Sequence, residues 1–395
     1  MGPDAVIPRY GADLFTDEAL DDPYQHYRAL RDAGPLVWLQ AHEMYAATRY
    51  ADARRVLDDQ ATFISGEGVA LNDVINSLGR GTTLMSDDDE HRMQREIIGR
   101  PLTPRSLADL RPEAQAIADS IVDGLVEKRG FDAVTELAEV LPTSWVPDLL
   151  GWPAEGREHL VAWASAQFDG LGPLNDRAIA ASDDILAMSA FAFQLAELEL
   201  PEHCFGSRIQ RAADQGEIDR SRCPMLFIDY LAPSLDTTIS AIGNAVWLFA
   251  THPDQWRLLQ EEPYRIKAAL NEVLRLESPI SCFTRVAKVA TEVGGFHMPA
   301  RSRVLVSFAS ANRDERRWDD PDHFDIRRES AGHLAFGHGE HACVGMGLAR
   351  LEIAAVLTSL VERVRTLELD GSPVRKRNNL IRSFTSLPVT VTPKE

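Results

Sequence analysis

The chain has 395 residues and a formal net charge of −19 at neutral pH. Apolar residues make up 45% of the sequence and charged residues 26%, which is typical of a folded globular protein and excludes an intrinsically disordered chain. The negative charge also argues against nucleic acid or an anionic membrane surface as a general partner, because the mean field repels phosphate groups.

No targeting signal or domain boundary is evident along the chain. The N-terminal residues lack the basic segment and apolar run of a signal peptide, and no stretch approaches the roughly 18 uninterrupted apolar residues of a membrane helix. We find no internal repeat, low-complexity segment or Gly/Ser linker. We therefore expect a monomeric cytoplasmic protein with one domain over residues 1–395 and no membrane anchor.

The predicted elements run from a hairpin through a helical middle to short strands. Residues 35–50 contain two short runs rich in aromatic and β-branched residues, with a polar turn between them, which is typical of a hairpin. From about 105 to 270, apolar residues recur at three- and four-residue spacing, which predicts long helices. Strands are predicted at 284–293 and 301–310 and close to the C-terminus. The predicted fold class is therefore mainly α with small β-sheets.

Cys343 lies in the glycine-rich stretch HLAFGHGEHACVGMGLAR. An amphipathic helix is predicted to begin directly after it, so the sulfur lies just ahead of a helix N-terminus, where a thiolate is stabilised. The sequence has four cysteines, far apart and without a CxxC pair, which argues against disulfides or a four-thiolate zinc site. A buried, inert thiol is the commonest alternative for a lone cysteine. The loop context favours a metal ligand.

The segment around Cys343 resembles the haem-binding signature FxxGxxxCxG of the cytochrome P450 family. The matching residues are Phe336, Gly337, Gly339, His341, Cys343 and Gly345. The resemblance implies the P450 fold, with haem b between a long distal helix and the helix that follows the cysteine loop. It implies that Cys343 is the axial ligand of the haem iron and that His341 donates to a haem propionate.

Two further stretches resemble family motifs that contact the haem propionates. His91 and Arg95 lie four residues apart on one face of a predicted helix, and Arg285 lies in a predicted strand. By resemblance, all three donate to the propionates, and such carboxylates need charged donors. Taken alone, His91 and Arg95 would be interpreted as an ordinary surface pair.

The stretch LNEVLRLESP places Glu272 and Arg275 three residues apart, the spacing of an intrahelical ion pair. A solvated pair on an exposed helix is the usual interpretation of this spacing. The pair also resembles the family's ExxR motif, which implies a buried structural pair that braces the cysteine side of the haem. Arg327 is expected to be its third partner.

Asp236 and Thr237 form an acid–alcohol pair midway along a long apolar predicted helix. They resemble the family pair that delivers protons to iron-bound dioxygen, and are the expected catalytic residues. Alternatively, the threonine hydroxyl bonds back to the carbonyl four residues earlier. Relatives have small residues where this chain has Pro233 and Ser234, and the proline predicts a kink because it cannot donate to the carbonyl of Asp229.

The chain is most similar to a bacterial branch of the family whose members O-demethylate para-methoxybenzoates, and this implies a set of substrate-binding residues. They are Glu67, Val69, Leu71, Phe168, Leu171, Asp229, Ala232, Ile280, Phe283 and Phe384. Most are apolar or aromatic, which suits a flat ring. Ordinary core packing is an equally good interpretation of any one of them.

The polar members of this set predict the charge of the substrate. Relatives that bind a benzoate use basic and hydroxyl residues at positions that here hold Glu67, Asn72, Ile228, Asp229 and Ala232. A carboxylate close to Asp229 or Glu67 would be repelled by about 1 to 4 kcal/mol at 4 Å. We therefore expect a neutral methoxyphenol of the guaiacol or syringol type, which loses its methyl group as formaldehyde.

The resemblance implies a monooxygenase that uses dioxygen and takes electrons from a ferredoxin and its NAD(P)H-dependent reductase. No GxGxxG motif follows a predicted strand, so no nicotinamide or flavin site is indicated within the chain. Arg92, Arg100 and Arg105 are expected to form the docking patch, or else a solvated surface. Two alternatives stay open, a peroxide-driven enzyme, which Pro233 and Ser234 would suit, and a haem-thiolate sensor without turnover.

Overall fold

Helices form most of the chain in the computed structural model, which describes residues 6–395. The helices are α1 (Asp17–Asp21), α2 (Tyr24–Ala33), α3 (Tyr50–Asp58), α4 (Asp73–Leu78), α5 (Asp88–Gly99), α6 (Pro104–Lys128), α7 (Val140–Leu150), α8 (Leu160–Leu171), α9 (Asp176–Ala180), α10 (Ser182–Glu197), α11 (Phe205–Asp214), α12 (Cys223–Leu231), α13 (Asp236–Thr251), α14 (Pro253–Glu261), α15 (Ile266–Leu276), α16 (Phe308–Ala311) and α17 (Met346–Arg363). Within residues 6–395, no helix has both the length and the apolar character needed to span a bilayer.

Short strands form small sheets beside the helices. The strands are β1 (Arg9–Tyr10), β2 (Val37–Leu39), β3 (Met44–Ala47), β4 (Phe63–Ile64), β5 (Gly130–Asp132), β6 (Cys282–Ala287), β7 (Thr291–Val293), β8 (Phe296–Met298), β9 (Arg303–Ser307), β10 (Val364–Leu369), β11 (Val374–Arg377), β12 (Arg382–Ser386) and β13 (Pro388–Pro393). The largest sheet is six-stranded, in the order β1-β2-β3-β9-β6-β4. The predicted fold class, mainly α with small sheets, is confirmed.

Several predicted elements have the expected positions. The hairpin predicted within residues 35–50 is the antiparallel pair β2–β3, with Val37 opposite Ala46. The periodic stretch after residue 105 forms α6, whose apolar face packs against α17. The helix predicted after the cysteine loop is α17, which is buried along most of its length because helices contact it on several sides.

The long helix predicted around Asp236 is interrupted. Helix α12 ends at Leu231 and α13 begins at Asp236, with a turn over residues 232–235. Pro233 has no N–H to donate to the carbonyl of Asp229, so the helical hydrogen bonds stop there. The predicted kink is confirmed, but the placement of Asp236 midway along a continuous helix is wrong, since it is the first residue of α13.

Candidate functional site

A cavity of about 310 Å³ lies between the α12–α13 break and the loop that precedes α17. Side chains from α5, α8, α10 and α12 complete its wall, so residues far apart in the sequence meet around it. Apart from one group of cations described below, most of the lining side chains are apolar. The cavity therefore suits a large, mostly apolar ligand with a charged edge.

Cys343 faces this cavity from the loop before α17. Gly337 and Gly339 adopt φ values of +69° and +72°, a left-handed conformation that glycine reaches without strain, and they turn the chain back toward the cavity. The Cys343 N–H donates to the Phe336 carbonyl at 2.8 Å, which closes the loop. The sulfur is open to the cavity although it lies well below the outer surface of the protein.

The surroundings of Cys343 act on its pKa in opposite directions. Burial raises the pKa of the thiol, while the N–H groups of Gly345 and Met346 and the guanidinium of Arg95 act to lower it. The two N–H groups belong to the first turn of α17 and its N-cap, where unpaired backbone donors favour negative charge. Burial has the larger effect, so the pKa of the thiol is raised overall, while the backbone donors would support the thiolate once a cation binds to the sulfur.

Four basic side chains meet at one end of the cavity. His91 and Arg95 come from α5, Arg285 from β6 and His341 from the cysteine loop. Among the described residues, neither Arg95 nor Arg285 has a carboxylate within ion-pair distance, although Arg285 is only 4% exposed. Arg95 donates to the Ala342 carbonyl, so its guanidinium still has donors to spare. A buried cluster of this kind requires an anion to pair with it.

The two histidines of this cluster are poorly satisfied by protein atoms. Their rings lie 3.9 Å apart between centroids, and both ring nitrogens of the buried His91 lack a hydrogen-bond partner within residues 6–395. His91 Nδ1 lies 3.9 Å from the Glu340 carboxylate, which is beyond hydrogen-bond distance. Burial and the charge of Arg285 lower the pKa of His341 to about 2, and burial and Arg95 lower the pKa of His91.

Asp236 and Thr237 point in different directions. Thr237 lines the cavity, and its hydroxyl donates to the Pro233 carbonyl at 2.9 Å, the back-bond weighed above as an alternative. Asp236 is buried outside the cavity, with both carboxylate oxygens 3.1 Å from Nζ of Lys376 in β11. Burial raises the pKa of Asp236, and Lys376 acts against that shift. Asp236 and Thr237 were expected to act side by side, but only Thr237 reaches the cavity.

Six of the ten expected substrate contacts line the cavity. They are Phe168, Leu171, Asp229, Ala232, Ile280 and Phe283. The Asp229 carboxylate accepts a hydrogen bond from the Thr83 N–H at 2.8 Å, and burial raises its pKa to about 6. Two carboxyl groups line the cavity in the part of the chain that the structure describes, Asp229 on α12 and Glu352 on α17, the helix that follows the cysteine loop.

The other four expected contacts lie outside the cavity, which corrects that part of the prediction. Glu67 forms an ion pair with Arg301 at a polar surface groove. Val69 and Leu71 pack into the apolar core around the six-stranded sheet because the chain before α4 runs behind the wall. The Arg375 guanidinium lies 3.9 Å from the ring centroid of Phe384, and Trp247 packs against the same ring at a tilt.

Sequence reasoning missed much of the wall. Two examples are the stretch after α4, with Thr82, Thr83 and Met85, and the face of α10 with Ile185 and Met188. Apolar three-residue spacing on α10 signalled a buried face but gave no indication of what that face contacts. These residues replace Val69 and Leu71 as neighbours of a bound ligand.

Glu272 and Arg275 form a fully buried pair beside the cysteine side of the cavity. Two N–H groups of Arg275 donate to the Glu272 carboxylate at 2.8 Å, and both side chains are 0% exposed. The third partner is Arg328, with Nε 3.0 Å from Glu272 Oε1, which corrects the expectation of Arg327. Arg327 is exposed because Ile326, its neighbour, takes the buried position in this loop.

Comparisons with known proteins agree on one family. Residues 206–392 match the family model described as Cytochrome P450. Cytochrome P450 CYP199A2 of Rhodopseudomonas palustris is 37% identical, over 98% of this chain and 96% of that protein. The vitamin D(3) 25-hydroxylase of Pseudonocardia autotrophica is 30% identical, over 97% of each chain. The solved structure of cytochrome P450 CYP109Q5 from Chondromyces apiculatus superposes with a TM-score of 0.83 at 30% identity, over 97% of this chain and 99% of that one.

Proposed function

Since this chain belongs to the cytochrome P450 family of haem-dependent monooxygenases, we propose that it oxidises a small neutral methoxyphenol in the cavity that Cys343 faces. Haem b is its cofactor, and when bound it supplies the iron at which dioxygen is activated. The cavity residues have three tasks, which are to hold the haem, to manage protons and to position the substrate. The observation that carries the substrate proposal is the carboxyl of Asp229 in a mostly apolar wall.

The residues around the cavity fit a haem. Cys343 offers one sulfur at the N-terminus of α17, which would bind the haem iron. The basic cluster of His91, Arg95, Arg285 and His341 would pair with the two propionates, and the unpartnered ring of His91 supplies an N–H donor that no described residue uses. The cavity therefore has residues suited to both the iron and the propionates of haem.

Loss of the basic cluster is expected to loosen the haem. In Arg95→Gln or Arg285→Gln, the protein loses a charged donor, worth about 1.5 to 3 kcal/mol. Haem transfer to a haem-scavenging protein should therefore accelerate by about ten- to a hundredfold. Arg92→Gln is the matched control, because Arg92 lies on the same helix, is exposed and pairs with Asp89. Equal transfer rates for all three variants would contradict the assignment.

Thr237 and Asp236 are proposed as the proton-handling residues, with separate roles. The Thr237 hydroxyl reaches the cavity and is oriented by its bond to the Pro233 carbonyl. Asp236 is held by Lys376, which is itself partly exposed and therefore in contact with bulk water. The carboxyl reaches the cavity only if its bonds to Lys376 are broken, so proton supply through Asp236 requires that this pair opens.

The charge distribution in the cavity favours a neutral phenol. Among the lining residues within 6–395, every cation belongs to the basic cluster beside the cysteine loop, so a substrate carboxylate would find none on the substrate side. Asp229 accepts a hydrogen bond from a phenol hydroxyl but repels a benzoate. Phe168, Leu171 and Phe283 supply the apolar surface for the ring. Hydroxylation of the methoxy carbon would use one oxygen atom of dioxygen, while two electrons and two protons convert the other to water. The resulting hemiacetal would then lose formaldehyde as its O–CH2OH bond breaks, which leaves a phenol.

The pKa of Asp229 predicts how substrate choice depends on pH. Because burial raises this pKa to about 6, the carboxyl is ionised at pH 7.5 and largely neutral at pH 5.5. Binding of 4-methoxybenzoate, followed by the spin shift of the haem, should therefore strengthen as the pH falls through about 6. In Asp229→Asn, benzoate binding should be stronger at pH 7.5 and lose this dependence.

A panel of methoxyphenols and methoxybenzoates tests the substrate proposal directly. Guaiacol or syringol should give the larger spin shift at pH 7.5 and should release formaldehyde in turnover. A wild-type protein that prefers 4-methoxybenzoate at pH 7.5 would contradict the proposal, whatever the behaviour of the Asp229 variant.

Electrons for this reaction come from a redox partner in the family, and we propose a ferredoxin with its NAD(P)H-dependent reductase. The expected docking patch carries less unpaired positive charge than the sequence indicated. Arg92 pairs with Asp89, and Arg100 pairs with both Glu96 and Glu217, so most of its charge is neutralised locally. Arg105 has no ion pair among the described residues and is the remaining candidate.

A peroxide-driven reaction is a second candidate, because Pro233 and Ser234 stand where the family pattern has alanine or glycine, and α12 and α13 are interrupted there. The Ser234 hydroxyl is buried beside this break and lacks a partner within the described chain, which leaves room for a polar ligand. Demethylation with hydrogen peroxide and no redox partner would favour this candidate. Failure of every methoxyarene to change the haem spectrum would instead favour a ligand sensor.

A further inference from the structure

The end of α8 forms part of the cavity wall and is attached to two distant parts of the chain. Phe168 and Leu171, in its last turn, both line the cavity. The helix then stops at Gly172, and a short link leads to α9. The last carbonyl groups of a helix have no partners inside the helix, so this end would ordinarily fray into solvent.

The first attachment comes from the residues before α4. Nδ2 of Asn72 donates to the carbonyls of Gly170 and Gly172, each at 2.8 Å. The N–H of Leu71 donates to the carbonyl between them, that of Leu171, at 2.9 Å. Asn72 is only 8% exposed, so these hydrogen bonds are shielded from water. Three successive carbonyls at the end of α8 are therefore held from one side.

The second attachment comes from the turn between β11 and β12. Nδ2 of Asn379 donates to the Asp169 carbonyl and its N–H donates to the Asp169 carboxylate, both at 2.8 Å. Asn379 also exchanges hydrogen bonds with the amide of Asn175, at 2.9 and 3.0 Å. Asn175 caps the N-terminus of α9, so the link between α8 and α9 is held at both ends.

These contacts leave little freedom to the wall that carries Phe168 and Leu171. Every carbonyl from Asp169 to Gly172 accepts a hydrogen bond from a residue about 100 or 200 positions away in the chain. A side chain at Gly172 would overlap the Asn379 side chain, so the two segments are also in close steric contact. A wall segment fixed in this way opens only when several hydrogen bonds break together.

We infer that Asn72 and Asn379 are positioning residues that keep Phe168 and Leu171 against the cavity and thereby limit the size and the exchange rate of its ligands. The inference rests on the proposed function only in taking this cavity as the place where substrate binds beside the haem. Neither asparagine lines the cavity, so each acts through the end of α8.

Ligand kinetics test this inference. The probes are imidazole and 4-phenylimidazole, which bind haem iron directly and therefore report on the wall even if no methoxyphenol is a substrate. In Asn379→Ala and Asn72→Ala, stopped-flow spectra should show association and dissociation of 4-phenylimidazole that are each about tenfold faster, as expected for the loss of the one or two side-chain hydrogen bonds that each makes to the end of α8. The smaller imidazole should change by less.

Asn244→Ala is the matched control. Asn244 is a buried asparagine of α13 whose Nδ2 also donates to a backbone carbonyl, that of Arg382 at 2.8 Å, but none of its side-chain hydrogen bonds reaches α8. Its variant should lower stability while leaving both ligand rates unchanged. Rates in the two test variants within twofold of the wild type, or an equal acceleration in Asn244→Ala, would overturn the inference.

Hydrogen exchange of the wild-type holoprotein gives a second test that needs no variant. The N–H groups of Leu71 and Asn379, which donate to the end of α8, should exchange as slowly as those of the core helix α13. Exchange of both within seconds would show that the segment opens freely and would also overturn the inference.

Discussion

Replacement of Cys343 by alanine is expected to abolish monooxygenase turnover and to remove the sulfur signature from the haem spectrum. Cys343 is the cysteine that faces the cavity, and the described part of the wall offers no second thiol. Loss of groups that only support a metal ligand already costs about 10- to 100-fold in activity, so loss of the ligand itself should cost at least that much. The measurements are haem content, the spectrum of the reduced carbon monoxide adduct, and turnover.

Cys223→Ala is the control for this substitution. Cys223 is fully buried at the start of α12, and it does not line the cavity. Its variant should keep the wild-type spectrum and turnover even if it is somewhat less stable. A sulfur-type spectrum that survives in Cys343→Ala would refute Cys343 as the iron ligand. Loss of that spectrum in both variants would show that the loss is not specific to Cys343.

Replacement of Glu272 by alanine is expected to lower the free energy of unfolding by about 3 to 5 kcal/mol, because it leaves the buried Arg275 guanidinium without its counter-ion. Arg275 also donates to the carbonyls of Asn312 and Pro321. Asn312 Oδ1 in turn accepts from the Leu334 N–H at 2.7 Å, just before the cysteine loop. The loss should therefore also reduce haem retention. Urea unfolding of the holoprotein measures the first effect.

The chain contains a matched surface pair for comparison. Glu262 and Arg265 have the same three-residue spacing but are partly exposed. Glu262→Ala should cost at most about 1 kcal/mol, as is typical of exposed pairs. If the two substitutions destabilise the protein equally, the Glu272–Arg275 pair has no special structural role.

Local patterns predicted the elements whose signal is contained in a short stretch of sequence. The hairpin β2–β3, helix α6 and helix α17 follow from side-chain periodicity and from turn residues. The kink at Pro233 follows from the missing N–H. The haem signature around Cys343 spans only ten residues, from Phe336 to Gly345, so a linear pattern identified it.

Features that depend on long-range packing could not be predicted from the sequence. Asp236 faces Lys376, 140 residues away, and nothing near Asp236 in the sequence indicates that partner. Arg328 rather than Arg327 completes the buried pair because a one-residue choice in an irregular loop reverses which side chain is buried. Phe384 was expected at the cavity, but an unforeseen contact with Arg375 holds it elsewhere.

The prediction of cavity-lining residues also failed where their positions depend on long-range contacts. Asp229 lies on a helix of the cavity wall, and its place in the cavity was foreseen. Glu67, Val69 and Leu71 lie in an irregular segment before α4, whose path depends on contacts with the six-stranded sheet and α8. The predicted preference for a neutral phenol therefore depends on Asp229 alone, since Glu67 pairs with Arg301 outside the cavity.

The spectrum of the reduced wild-type protein under carbon monoxide tests the central claim, a thiolate-ligated haem in this cavity, most directly. We expect stoichiometric haem in the purified protein and the absorption that is typical of sulfur-ligated iron in its carbon monoxide adduct. Protein that folds without haem, or an adduct with the absorption of a nitrogen-ligated haem, would contradict the assignment of Cys343 and the mechanism built on it.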